Sequence, residues 1–315
     1  MGTRNFSFSL KRIELLAICF LIAGCSGLKT RETIRSQVPS GPQPPPALSP
    51  TPVPESLKPP PEQVSPIEST RELPPAIARA ENPKIGLILG PGSARTLAHI
   101  GVVQELTKAR LPISHIVGLE MGALVGAIYA QKAQPFDVEW QMSKMKDIKS
   151  LGPFIQGVFG GVKTEDLRLP FACPAYNLQK SQYFMMNKGV AAQMLPYCLP
   201  VPPNLKPYNH NVAAMTELKS SIDYLKSKGA NYIVYVHVLS AKDGVISGNL
   251  EDENNFLWTL TSIAISRQWQ AVDYVISVPV QDFDLNDWSR RREIIQKGLE
   301  AGQNASSQIS KRLGL

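Results

Sequence analysis

The 315-residue sequence has few of the residues that mark metal centres and nucleic-acid surfaces. Its four histidines and four cysteines are scattered, and they show no metal-ligand spacing. No basic stripe is interleaved with aromatic residues, although the formal net charge is +7. We therefore expect no metal, no other cofactor and no nucleic-acid partner.

The N-terminus has no hydrophobic run long enough to span a membrane. Leu15 to Ala23 is an apolar run of nine residues. At ~1.5 Å per helical residue this run cannot cross ~30 Å of hydrocarbon. It follows the basic residues Arg4, Lys11 and Arg12, and small residues then lead to a cysteine, which is the pattern of a secretory signal. Residues 1–24 are therefore predicted to be a signal peptide.

Ile22-Ala23-Gly24-Cys25 resembles the lipobox of bacterial lipoproteins. The resemblance implies cleavage before Cys25 and attachment of a diacylglyceryl group to its sulfur, which anchors the protein to a membrane. Ser26 after the cysteine implies the outer membrane, on its periplasmic side or surface, if the cell has two membranes. The expected location is thus the bacterial cell envelope. An ordinary signal peptide with an incidental cysteine is the alternative.

Proline is concentrated in one segment of the chain. Fourteen of the 27 prolines lie between Pro39 and Pro75, and runs such as Pro44-Pro45-Pro46 favour extended polyproline II. Residues 25–80 are therefore predicted to be a disordered linker that carries the lipidated cysteine. A ligand for a proline-binding partner domain is the alternative. Residues 81–315 are predicted to form one globular domain.

Strand and helix patterns alternate along residues 81–315. Ile85–Leu89 is a short apolar run typical of a buried strand, and a helix with an apolar stripe follows a glycine-containing loop. Further strands are predicted at 115–118, 169–175, 231–239 and 274–280, and further helices at 122–130 and 286–313. This alternation predicts an α/β fold with a mostly parallel central sheet.

Two strand–turn–helix junctions are the places where such a sheet binds ligands. They are residues 90–96 and 118–122. The flanking Ala98-His99-Ile100-Gly101-Val102 and Met121-Gly122-Ala123-Leu124-Val125-Gly126 resemble the patatin-like phospholipases, with weaker similarity over most of 84–312. The resemblance implies the patatin-like three-layer fold and a serine–aspartate dyad that hydrolyses lipid esters.

The family's nucleophile position is occupied by Glu120, which has no hydroxyl group. We expect Glu120 to fill the turn, stabilised by N–H groups of the following helix. Formation of a mixed anhydride at this carboxylate is the alternative.

The family's dyad aspartate falls near Ala213. No aspartate lies between Asp166 and Asp223, so a shift of a few residues in the alignment does not supply one. Asp243 follows the strand that it should precede and is interpreted as part of a turn.

The resemblance also implies an oxyanion loop, but its sequence is altered. The corresponding positions are Gly90, Pro91, Gly92, Ser93 and Arg95, with Thr96 in place of a further glycine. Proline has no N–H to donate, and the serine and threonine add Cβ atoms where the backbone favours positive φ. Arg95 is expected to organise the loop or an anionic group, and His99 to pack rather than act as a base.

These departures together favour a membrane-anchored pseudo-hydrolase that binds a lipid or a protein at the envelope. The alternative is a lipid acyl hydrolase, a phospholipase or esterase, with a displaced active site. A third reading makes the domain a spacer in the envelope. Cys173 and Cys198, the cysteines outside the signal and lipidation sites, are either disulfide-bonded or two small buried thiols.

Overall fold

The computed structural model describes residues 82–239 and 253–315. The predicted signal peptide, Cys25, the proline-rich linker and Asp243 lie outside the described residues, so those interpretations stay predictions. Within the described ranges, no helix combines the length and the apolar character that crossing a bilayer requires.

A seven-stranded sheet forms the centre of the described domain. The strands are β1 (Ile85–Leu89), β2 (Ile113–Gly118), β3 (Phe171–Asn177), β4 (Gln182–Met186), β5 (Asn211–Ala213), β6 (Tyr232–His237) and β7 (Tyr274–Ser277). Their order is β4-β3-β2-β1-β6-β7, and β5 also pairs with β3. The neighbouring strands β3, β2, β1, β6 and β7 are parallel to one another. Strands β4 and β5 both run antiparallel to β3. The prediction of a mostly parallel α/β sheet is confirmed.

Helices cover both faces of this sheet. They are α1 (Ala98–Lys108), α2 (Met121–Lys132), α3 (Pro135–Ser143), α4 (Leu151–Phe159), α5 (Ala191–Met194), α6 (Leu218–Ser227), α7 (Glu253–Ser266) and α8 (Arg291–Leu313). Alternate residues of β1 point to opposite faces: Leu87 and Leu89 pack in one apolar cluster with α1, α2 and α8, and Ile88 packs in another with α6 and α7. Both faces of β1 are therefore buried, which explains its continuous apolar sequence, and the three layers agree with the expected patatin-like architecture.

Some helix and strand boundaries differ from the sequence-based predictions, and at the last helix the cause is hydrogen bonding between side chains and the backbone. The last helix begins at residue 291 and not at 286, because the carboxylates of Asp284 and Asp287 accept the backbone N–H groups of Asn286 and Ser289. Such turns compete with a helical start. Strand β3 begins and ends two residues later than predicted, and β6 and β7 are shorter than predicted.

Cys173 in β3 and Cys198 form a disulfide with a Cα–Cα distance of 6.0 Å. This separation lies in the usual range for such bonds. Both residues are buried in the same apolar cluster. The reading of two free thiols is therefore wrong.

Candidate functional site

A sharp turn joins β2 to α2, and we call residues 118–122 the elbow. Glu120, which immediately precedes α2, has φ 51° and ψ −130°. A non-glycine residue with positive φ is strained. A Cβ at Gly118 would lie 2.2 Å from the Cα of Ala123, and a Cβ at Gly122 would lie 2.5 Å from the carbonyl oxygen of Leu89. Both positions therefore require glycine, as in the nucleophile elbow of α/β hydrolases.

The glycine loop, residues 90–96, follows β1 and lies against the elbow. Its Gly90 N–H donates to the carbonyl oxygen of Val236 in the neighbouring strand at 3.0 Å. Ser93 has φ 48°, as expected for a position that favours glycine. The same expectation is wrong for Thr96, which lies in a 3₁₀ turn and donates its hydroxyl to the carbonyl oxygen of Ser93 at 2.6 Å.

The side chain of Glu120 reaches from the elbow into the glycine loop. Its Oε2 accepts the backbone N–H of Gly92 at 3.0 Å and that of Ser93 at 2.9 Å. The residue is only 3% exposed. The loop therefore keeps two N–H donors despite Pro91, and the protein's own carboxylate occupies both.

The expected stabilisation of Glu120 by N–H groups of the following helix is confirmed for Met121 alone. The N–H groups of Gly122 and Ala123 donate to the carbonyl oxygens of Leu119 and Glu120, which closes the first turn of α2. Of this helix, only the Met121 N–H stabilises the charged carboxylate. Sequence reasoning missed the partners in the loop, although the length of a glutamate side chain was a signal that it could reach beyond the turn.

Burial raises the pKa of Glu120 to about 7, against the opposing effect of the N–H groups of Gly92, Met121 and Ser93. Desolvation destabilises the charged form more than these hydrogen bonds stabilise it. In the described residues no cation forms an ion pair with this carboxylate. Around neutral pH the side chain therefore exists in both its protonated and its ionised form.

The side chain of Arg95, a residue of the glycine loop, is buried and connects the loop to two other segments. Its guanidinium donates to the carbonyl oxygens of Leu239 at 2.6 Å, Gln281 at 2.9 Å and Phe283 at 2.7 Å. Burial lowers its pKa to about 10. The structure thus places Arg95 as the organiser of its loop, with each of its three nitrogens donating to a carbonyl oxygen.

Ala213, which the sequence analysis assigned to the position of the family's aspartate, ends β5 and pairs with Ala175 of β3. Its methyl group is buried and has no proton to exchange. The hydrogen bonds that the structure describes for the Glu120 carboxylate all come from backbone N–H groups, so these contacts bring no base to the elbow.

Two buried histidines lie behind the glycine loop. His99 Nε2 is 2.8 Å from the carbonyl oxygen of Gly90, so this nitrogen carries the proton. Burial lowers the pKa of His99 to about 4, and burial together with His99 lowers the pKa of His237 to about 3. Both imidazoles are therefore neutral at pH 7. The contact with Gly90 gives His99 the packing and hydrogen-bonding place that the sequence suggested.

Metal ligation has no visible basis in residues 82–239 and 253–315. Nowhere in these ranges do three or more His, Cys, Asp or Glu residues converge in an arrangement that could hold a metal ion.

Comparison with known proteins gives a consistent result for the segment that contains the elbow. Residues 87–195 match the family model described as patatin-like phospholipase. The chain is 25% identical over 284 residues to the lysophospholipase NTE1 of Coccidioides immitis, covering 73% of this chain and 18% of that protein. It is 26% identical over 230 residues to the neuropathy target esterase sws of Drosophila melanogaster, covering 62% and 15%. The chain thus spans less than a fifth of the length of these relatives.

Proposed function

This chain contains a domain of the patatin-like phospholipase family, and we propose that it is a pseudo-hydrolase that acts by binding. Its ligand is a lipid or a protein at the cell envelope. In this proposal Glu120 stands at the family's nucleophile position, Ala213 at the dyad aspartate and Gly90 to Arg95 at the oxyanion loop.

The contact between Glu120 and the glycine loop is the observation that supports this proposal. Ester hydrolysis needs backbone N–H groups that are free to receive the negative oxygen of the reaction intermediate. Here the N–H groups of Gly92 and Ser93 already hold a carboxylate oxygen. An ionised carboxylate at this place also repels the charge that develops on a reacting carbonyl, and it has no hydroxyl to acylate.

The test is ester hydrolysis by the purified full chain, with a lysophospholipid and a p-nitrophenyl ester as substrates. We expect the wild type, Glu120→Ala and Glu120→Ser to show the same rate as buffer, because no variant gains a base at Ala213. Turnover by the wild type that Glu120→Ala abolishes would contradict the proposal. Activity in Glu120→Ser would show that a base stands elsewhere.

The second candidate is a lipid acyl hydrolase with a displaced active site. The relatives, a lysophospholipase and a neuropathy target esterase by name, favour this candidate over binding alone. Ser93 is a poor nucleophile candidate because it lies buried in the glycine loop, and Asp243 is outside the described residues. A fluorophosphonate probe separates the two functions, since covalent labelling of the chain that persists in Glu120→Ala would establish the hydrolase. Loss of that label in Ser93→Ala would identify Ser93 as its nucleophile.

We further propose that the chain is anchored through a lipid on Cys25, on the basis of its resemblance to a lipobox. Cells fed a palmitate analogue are expected to label the wild-type chain and not Cys25→Ser. Equal labelling of the two chains would contradict the anchor.

A further inference from the structure

Helix α3 exposes two aromatic side chains on its outer face. Phe136 is 74% exposed and Trp140 is 64% exposed, more than any other large hydrophobic residue that the structure describes. They are four residues apart, so they lie one turn apart on the same side of the helix. The inner face of α3 packs on the domain, because Val138 and Met142 are buried in the core. The helix therefore has a second apolar face that the folded domain leaves uncovered.

Three lysines follow Trp140 along the chain, at the C-terminal end of α3 and just beyond it. Lys144 places its Nζ 5.0 Å from the centre of the Trp140 ring, and Lys146 and Lys149 are exposed just beyond the helix. No ion pair is described for these three lysines. We call Phe136, Trp140, Lys144, Lys146 and Lys149 the α3 surface.

The acidic residues of the same segment are engaged in contacts of their own. Asp137 pairs with Lys132 at 3.0 Å, at the opposite end of α3 from the lysines. Glu139 accepts a hydrogen bond from the amide of Gln104 in α1 at 2.8 Å, so it turns toward the domain. Asp147 accepts the backbone N–H of Ser150 at 2.9 Å. Glu139 and Asp147 keep their charge because their described partners are neutral, but the three lysines outnumber them, so the net charge beside Trp140 is positive.

The C-terminal end of α3 lies toward the same edge of the sheet as the elbow, the edge formed by the carboxyl ends of the parallel strands. Arg291, the first residue of α8, donates to the carbonyl oxygens of Ser143 and Met145, each at 2.8 Å, and so fixes the end of α3. Further along α8, Gly298 packs on the carbonyl of Ala98. Ala98 begins α1 shortly after the carboxyl end of β1. The end of α3 and the elbow consequently share this edge.

We propose that the α3 surface docks on a bilayer that contains anionic phospholipids. Exposed aromatic rings insert at the boundary between headgroups and acyl chains, and neighbouring lysines bind the lipid phosphates. Charge complementarity selects this occupant: Lys144 against the Trp140 ring and two exposed lysines just beyond the helix match a negatively charged membrane surface. The docking depends neither on the contacts of Glu120 nor on acylation of Cys25.

Tryptophan fluorescence of the full chain tests the docking, with Cys25→Ser as the background that removes the acylation site. The probes are vesicles of phosphatidylcholine, with and without phosphatidylglycerol, whose acyl chains carry bromine and quench nearby tryptophans. We expect quenching on the anionic vesicles. Trp140→Phe keeps the apolar face and should lose most of the quenching, because Trp258, Trp269 and Trp288 are buried or half-buried.

Charge reversal separates this surface from general electrostatic attraction. Lys146→Glu with Lys149→Glu should weaken partitioning into anionic vesicles at least about tenfold. The matched pair Lys206→Glu with Lys226→Glu changes the net charge equally at exposed sites elsewhere and should leave partitioning unchanged. All variants share one N-terminal segment, so differences between them report on the α3 surface.

Three results would overturn the proposal. The first is the absence of quenching on anionic vesicles, and the second is an equal loss of partitioning in both lysine pairs. The third is a Trp140 that acrylamide cannot quench in the lipid-free protein, which would mean that another part of the chain or a second copy covers α3.

Discussion

Replacing Glu120 with glutamine is expected to raise the free energy of unfolding above that of the wild type. This gain should be larger at pH 7.5 than at pH 4.5, by roughly 3 kcal/mol. Burial raises the pKa of Glu120 to about 7 from an ordinary value of 4.5. The amide keeps an oxygen for the N–H groups of Gly92 and Ser93 but does not titrate. Urea unfolding of both proteins across this pH range measures the effect.

The direction follows from where the proton is bound. Below pH 4.5 Glu120 is protonated in the folded and the unfolded chain, so pH has no influence through this residue. Between pH 4.5 and 7 the folded chain keeps the proton that the unfolded chain has lost, and the wild type loses stability as the pH rises. Well above pH 7 both states are ionised and the loss is complete.

Other groups titrate in the same range, and the comparison between variants removes their contribution. Burial holds His99 and His237 neutral, so both destabilise the folded wild type as the pH falls, and they do the same in Glu120→Gln. Glu300→Gln removes an exposed carboxylate that pairs with Lys297 and serves as the matched control, because an exposed ion pair contributes at most about 1 kcal/mol. Its difference from the wild type is expected to change with pH far less than that of Glu120→Gln. A constant difference for Glu120→Gln as well would show that the carboxylate is not held in a desolvated site.

The fold was largely predictable because its central strands are buried on both faces. A run such as Ile85–Leu89 has to be continuously apolar, and this signal survives without any knowledge of its neighbours. The same reasoning missed β4, whose residues are exposed or half-buried, and β5, which has three residues. An antiparallel edge strand of that length has too few residues to show a period.

The candidate site was predictable in its position but not in its contacts. Gly118 and Gly122 mark the elbow in the sequence because backbone atoms leave no room for a Cβ at either residue. The pairing of Glu120 with Gly92 and Ser93 depends on how closely the elbow and the glycine loop approach each other in space. Gly92 and Glu120 are 28 residues apart in the sequence. Local sequence patterns contain no information about the distance between two segments that are far apart in the chain. For the same reason the sequence left open whether Cys173 and Cys198 form a disulfide.

Gly298→Ala is expected to lower the free energy of unfolding by roughly 3 kcal/mol, the upper end of the usual cost of overpacking. A Cβ at this position of α8 would lie 1.9 Å from the carbonyl oxygen of Ala98, and a backbone atom cannot rotate away as a side chain does. An alanine gains only ~1 kcal/mol over glycine from helix propensity, so the steric cost decides the sign. Urea unfolding of the full chain measures the difference.

Gly157→Ala in α4 is the matched control for this substitution. A Cβ there meets no atom within 4 Å, so only the propensity gain remains and the variant should be stabilised by ~0.5–1 kcal/mol. The two substitutions are chemically identical and should have opposite signs. Equal effects at both positions would show that α1 and α8 do not pack as closely as described. Because α1 also carries His99, which bonds the carbonyl of Gly90, a displaced α1 should disturb the glycine loop and lessen the pH dependence that Glu120 causes.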